Sequence, residues 1–138
     1  MKQALLPAGW PRPKGYANGI SANGRQVFVA GMVGWTPEGV FLSDDFAEQT
    51  RLALQNIVAV LGAAGAGPEH ITRMTWYVTS KREYLAAGRA VGAAFREIIG
   101  GFDIAMTAVE VTALMEDRAK VEIEVTAVIP EQAEITRP

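Results

Sequence analysis

No cysteine occurs in the 138 residues, so disulfide frameworks, zinc ribbons, iron–sulfur clusters and thiol nucleophiles are excluded together. A single histidine, His70, cannot build a multi-histidine metal site or an ordinary Ser-His-Asp relay, and its Gly-Pro-Glu-His setting reads as a surface turn. Cationic excess is lacking too: 13 Lys and Arg stand against 15 Asp and Glu, scattered along the chain, so nothing offers a field for nucleic acid. No run approaches the roughly 18 apolar residues of a membrane helix. The opening Met-Lys-Gln-Ala-Leu-Leu-Pro breaks its short apolar patch at Pro7, too early for a secretory leader, so a cytoplasmic setting is expected.

What is present suits one compact domain over 1–130 followed by a short tail, 131–138. Tyr16 to Asn23, the turn pair Asn23-Gly24, and Gln26 to Ala30 read as a β-hairpin. Ser43-Asp44-Asp45 can cap a helix in which Phe46, Thr50, Ala53, Leu54, Ile57, Val58 and Leu61 share one stripe. The glycines of 62–67 and Pro68 stop it; following a helix and lacking a Gly-Lys-Ser/Thr ending, they are no phosphate loop. Ile71 to Val78 reads as a strand with Met74, Trp76 and Val78 on its core face and Arg73, Thr75 and Tyr77 opposite. Ser80 and Glu83 fit a capping box for a second helix, which runs to Gly100-Gly101. Strands over Ala105 to Ala113 and Lys120 to Val128, joined by a turn at 116–118, complete a β-β-α-β-α-β-β order.

Two helices cover only one face of such a sheet. Yet Val27 and Val29 oppose Phe28 and Ala30, and Val109 and Val111 oppose Met106 and Ala108, so both faces carry apolar side chains. With no further helix to cover the second face, another copy of the chain is expected to do so.

Gly-Tyr-Ala-Asn-Gly near the start, Val-Phe-Val-Ala-Gly in the second strand, then Val-Glu-Val and Lys-Val-Glu-Ile-Glu-Val-Thr-Ala, in this order over residues 15 to 130, resemble the YjgF-like (RidA) family of imine and enamine deaminases. The resemblance implies a chorismate-mutase-like α+β fold with one mixed sheet and two helices on one face. It implies a barrel-like homotrimer with a small-molecule ligand in clefts between subunits, and no metal or cofactor. Matched to the family pattern, the water-positioning Glu is Glu122 and the cleft tyrosine is Tyr16, with Gly31 retained. The carboxylate-binding arginine falls on Met106, the serine before the strand glycine on Ala30, and the usual helix asparagine on Gly92.

The departure at Met106 is chemical. A guanidinium grips a carboxylate by two charge-assisted hydrogen bonds, and a thioether can make neither. Substrates shaped like 2-iminopropionate lose that anchor, although Arg73 on the polar strand face is a candidate replacement. Glu124 follows Glu122 on the same strand face, and Trp10 and Trp35 could join Tyr16 in an aromatic wall. Three readings follow: a deaminase of altered substrate, such as the aminomuconate type that the wider family handles; a non-catalytic binding trimer; and the ribonuclease or translation inhibitor with which some relatives are labelled. For the last the chain offers neither a basic groove nor a histidine pair.

Overall fold

The computed structural model describes residues 2–131. The strands are β1 (Lys2–Leu5), β2 (Gly19–Ala22), β3 (Arg25–Val33), β4 (Ile71–Val78), β5 (Ala105–Glu110) and β6 (Val121–Ile129). The helices are α1 (Phe46–Ala63), α2 (Lys81–Ala86) and α3 (Gly88–Ile98). β3, β6, β4 and β5 lie side by side in one mixed sheet; only the β4–β5 pair is parallel, linked by the crossover through α2 and α3. No helix among the described residues is long and apolar enough to cross a membrane.

α1 forms where the sequence signals it. Asp45 accepts the Glu48 N–H at 3.0 Å, and Phe46, Ala53, Leu54, Ile57 and Leu61 are buried against β3, β6 and α3. Their partners include Met74, Trp76 and Val78 of β4 and Val121, Ile123 and Val125 of β6, so each strand buries every second residue. The capping box before α2 is half made: Ser80 Oγ accepts the Glu83 N–H at 3.1 Å, but Glu83 turns its carboxylate to Lys120 Nζ instead of back to the cap.

Three expectations are corrected. The β2–β3 hairpin does not form as a ladder: β2 pairs with β1, while β3 pairs with β6. Gly24 does turn the chain, at φ +146°, and a Cβ there would overlap the Ile129 carbonyl, so the turn is fitted to the end of β6. The second helix comes as two pieces meeting at Ala87. The strand expected to reach Ala113 ends at Glu110, because β4 stops at Val78 and its carbonyl accepts the last ladder bond, from the Val111 N–H. The tail expected over 131–138 falls, from residue 132 on, outside the described residues.

One buried polar side chain ties the layers together. Gln49 is 1% exposed; its amide donates to the Ser43 and Arg118 carbonyls at 3.0 Å each, and its Oε1 accepts the Lys120 N–H at 2.8 Å. It clamps the start of α1 to the loop feeding β6, where Gly34 lets the end of β3 lie directly on the Gln49 backbone. Gln49→Leu strands these three backbone groups, and urea unfolding is expected to show a loss of about 3 kcal/mol without a change in the slope.

Candidate functional site

The sheet divides the matched residues between its two faces. Side chains alternate along a strand, and residues paired across a parallel ladder share a face. Met106 pairs with the buried Met74 and packs against the core, so it lies on the helix side. Glu122 lies between the buried Val121 and Ile123 and pairs with Tyr77, so it lies on the open side.

On the helix side, Tyr16, Gly92 and Met106 line one cleft of about 810 Å³. Tyr16 reaches it because Ala17 is stitched to the head of β5, its N–H donating to the Ile104 carbonyl at 2.9 Å. Trp76, Phe95 and Phe102 add aromatic surface, and Arg12, Lys14 and Arg96 add positive charge. Gly92 leaves room for the Arg96 guanidinium: a Cβ there would sit 3.2 Å from Arg96 Nη1.

The open side instead carries Ala30, Gly31, Arg73, Glu122 and Glu124, spread along the sheet. From Val29 to Met32 β3 advances three residues while β6 moves only from Val125 to Ile123, a bulge that holds Ala30 and Gly31 as the irregular pair. A Cβ at Gly31 would overlap the Glu122 carboxylate, so the missing side chain is what admits this acid to the backbone. Arg73 lies four residues along β4 from Tyr77, hence about 13 Å along the strand from the Glu122 row. It shares a shallow hollow with Ala30, Phe28 and Glu124 and does not reach Met106's cleft. Phe28 stands 72% exposed on this face.

The aromatic wall of Trp10, Tyr16 and Trp35 does not assemble. Trp35 packs on Phe41 at 5.6 Å between centroids, and Trp10 is 59% exposed outside the cleft. His70 is occupied locally, its Nδ1 accepting the Gly67 N–H at 3.0 Å. Among the described residues no group of three or more acidic or His side chains could hold a metal ion. The sequence reading missed Arg96 because, on an otherwise solvated helix flank, its only signal is the spacing Gly88, Gly92, Arg96, three positions of one helical stripe.

Solved structures share this fold. A Rid family protein of Yersinia pestis, YyfB, described as of unknown function, superposes with a TM-score of 0.80 at 29% identity, over 93% of this chain and 98% of that one. Escherichia coli TdcF with bound serine superposes at 0.67 with 27% identity, over 92% and 98%. In sequence, a RutC family protein of Pyrococcus horikoshii is 32% identical over 129 residues, 92% of this chain and 98% of the relative. The 2-iminobutanoate/2-iminopropanoate deaminase of Salmonella typhimurium is 30% identical over 113 residues, 82% and 86% of the two chains. These likenesses define a Rid-type α+β protein, and the family model described as Endoribonuclease L-PSP matches residues 11–129. The chain belongs to this family, that of the YjgF/RidA proteins.

The open face also carries a proton with a defined address. Tyr77 donates to Glu124 Oε1 at 2.5 Å; that bond, then desolvation and the charges of Glu124 and Glu122, hold the phenol above its usual value near 10. The bond's contribution is complete below the unfolded value and is lost as pH rises through the higher folded one. In a tyrosinate absorbance titration, with Tyr77→Phe assigning its share by difference, Glu124→Ala is expected to move the Tyr77 midpoint downward. An unmoved midpoint would contradict the bond.

Proposed function

We propose that the protein is a hydrolytic deaminase of a reactive enamine or imine, acting as a homotrimer in the cytoplasm, with a substrate other than the smallest amino-acid-derived imines. The observation that carries this reading is the Glu122 carboxylate seated over the Gly31 bulge, a strand irregularity that serves no ladder bond of its own. Relatives support the chemistry: one is a 2-iminobutanoate/2-iminopropanoate deaminase.

The step needs one base and one water. Glu122 takes a proton from water as the water oxygen bonds to the imine carbon, and passes it to nitrogen to give a carbinolamine; the hydroxyl proton then also moves to nitrogen as the C–N bond breaks, so ammonia leaves and a carbonyl remains. No oxidant or reductant enters. Because Glu122 and the Tyr16–Gly92–Met106 cleft lie on opposite faces of one sheet, the complete site takes Glu122 from one copy and the cleft from its neighbour. The exposed Phe28 and Val109, with Ala30, supply the apolar surface such a contact would bury.

A second reading has its own support. Met106, Ala30 and Gly92 each replace a polar group of the family pattern, which suits a trimer that binds a ligand without turning it over. Ammonia release from enzymatically generated 2-iminopropionate and 2-aminomuconate separates the two. Wild type is expected to be slow on iminopropionate, Met106→Arg to gain it, and Glu122→Gln to lose turnover by about 100-fold or more while still binding. Fast iminopropionate turnover by wild type would contradict the role given to Met106, and Glu122→Gln at full rate would overturn the deaminase reading.

A further inference from the structure

We infer that Arg96 is the relocated anion anchor of the helix-side cleft, and that the ligand it holds is a carboxylate carrying an aromatic or comparably bulky apolar side chain. The inference deepens the deaminase reading by naming its substrate class, and for the reaction it rests on that reading; for binding it stands alone.

The charge of the cleft is the first ground. Arg12, Lys14 and Arg96 border it against a single acid, Asp103, an excess of 3 − 1 = 2 positive charges in a chain whose net charge is −2. Met106 therefore has not made the cleft neutral; the cation has moved to another element. Among the described residues Arg96 forms no ion pair, whereas its neighbour Glu97 is bound to Arg51 at 2.7 Å. A free guanidinium at an apolar cleft keeps its planar fork for a ligand carboxylate.

Backbone economy is the second ground. Gly92 lies inside α3 on the stripe that Arg96 continues, at a cost of roughly 1 kcal/mol relative to alanine, while Gly88 opens the helix on the same stripe. A Cβ at Gly88 would meet nothing, so no close packing demands that glycine. At Gly92 the vacated space is what the Arg96 guanidinium overhangs. Both glycines border the cleft, and their missing side chains widen it.

Size and lining set the ligand class. About 810 Å³ falls within the roughly 300–1,000 Å³ of sites that enclose drug-sized ligands, so a three-carbon imino acid leaves most of it unfilled. Trp76, Phe95 and Phe102 offer ring faces and edges to an aromatic group, and the Met106 thioether is a soft contact for one.

Isothermal titration calorimetry of the intact protein tests the anchor with three stable probes: phenylpyruvate, pyruvate and the uncharged phenylacetone. Phenylpyruvate is expected to bind at least tenfold more tightly than pyruvate. Arg96→Gln should weaken phenylpyruvate at least tenfold, leave phenylacetone unchanged, which also shows the fold intact, and Arg96→Lys should recover part of the loss. Equal binding of phenylpyruvate by wild type and Arg96→Gln, or pyruvate binding as tightly as phenylpyruvate, overturns the inference. Ammonia release from the imines that D-amino acid oxidase makes from D-phenylalanine and D-alanine is a separate arm. Binding as expected without faster ammonia release would overturn the deaminase reading and leave the anchor standing; faster release from the D-phenylalanine imine alone, unaffected by Arg96→Gln, would do the reverse.

Discussion

A β-strand turns successive side chains to opposite faces, and the organisation of this protein depends on that constraint at β4, β5 and β6. The same alternation that buries Met74, Trp76 and Val78 puts Tyr77 on the far side, and with it Glu122. Parallel pairing carries the helix side across to Met106 and Ala108. A slip of one residue would exchange the faces, and the core forbids it, because Val121, Ile123 and Val125 would then leave the apolar interior for solvent. The acid and the cleft are therefore kept apart by the interactions that stabilise the sheet. What unites them under the proposed function is a second copy of the chain.

Each half is set by a local backbone device. On the open face it is the bulge in β3, where one extra residue and the bare Gly31 let an acid lie against the chain. On the helix face it is Gly92 inside α3, which gives up helix stability for space. Behind both, Gln49 fixes α1 to the loop before β6, so β6 and the helix layer hold their relative positions.

The extent to which the sequence disclosed this follows from the range of each interaction. α1, β4 and β6 were legible because periodicity and caps act within a few residues: the Asp45 cap and the alternation along β6 appear as read, and Ser80 caps α2 although Glu83 does not complete the box. The hairpin was misread because Asn23-Gly24 specifies a turn but not a partner; β1, far off in sequence, takes β2, and β6 takes β3. At the site, Glu122 with Gly31 and Tyr16 with Met106 could be named by resemblance, but not that they form two separate groups. Arg96 carried only the faint signal of its spacing from Gly88 and Gly92, since a lone arginine on a helix flank looks solvated until the facing aromatic rings and the empty Gly92 are seen beside it. Arg73, plausible by strand face, lies too far along β4 to serve the cleft of Met106.

That two half-sites meet only between copies is most directly tested without any substrate, because the chain contains no cysteine. Met106→Cys and Glu122→Cys in one chain place two thiols on opposite faces of the sheet, to be treated with a short bismaleimide and resolved on a denaturing gel. The account predicts covalent dimers and a closed trimer, multiples of the 14.8 kDa chain, with neither single variant giving the closed trimer. Monomer alone, in the double variant that remains folded, would contradict it.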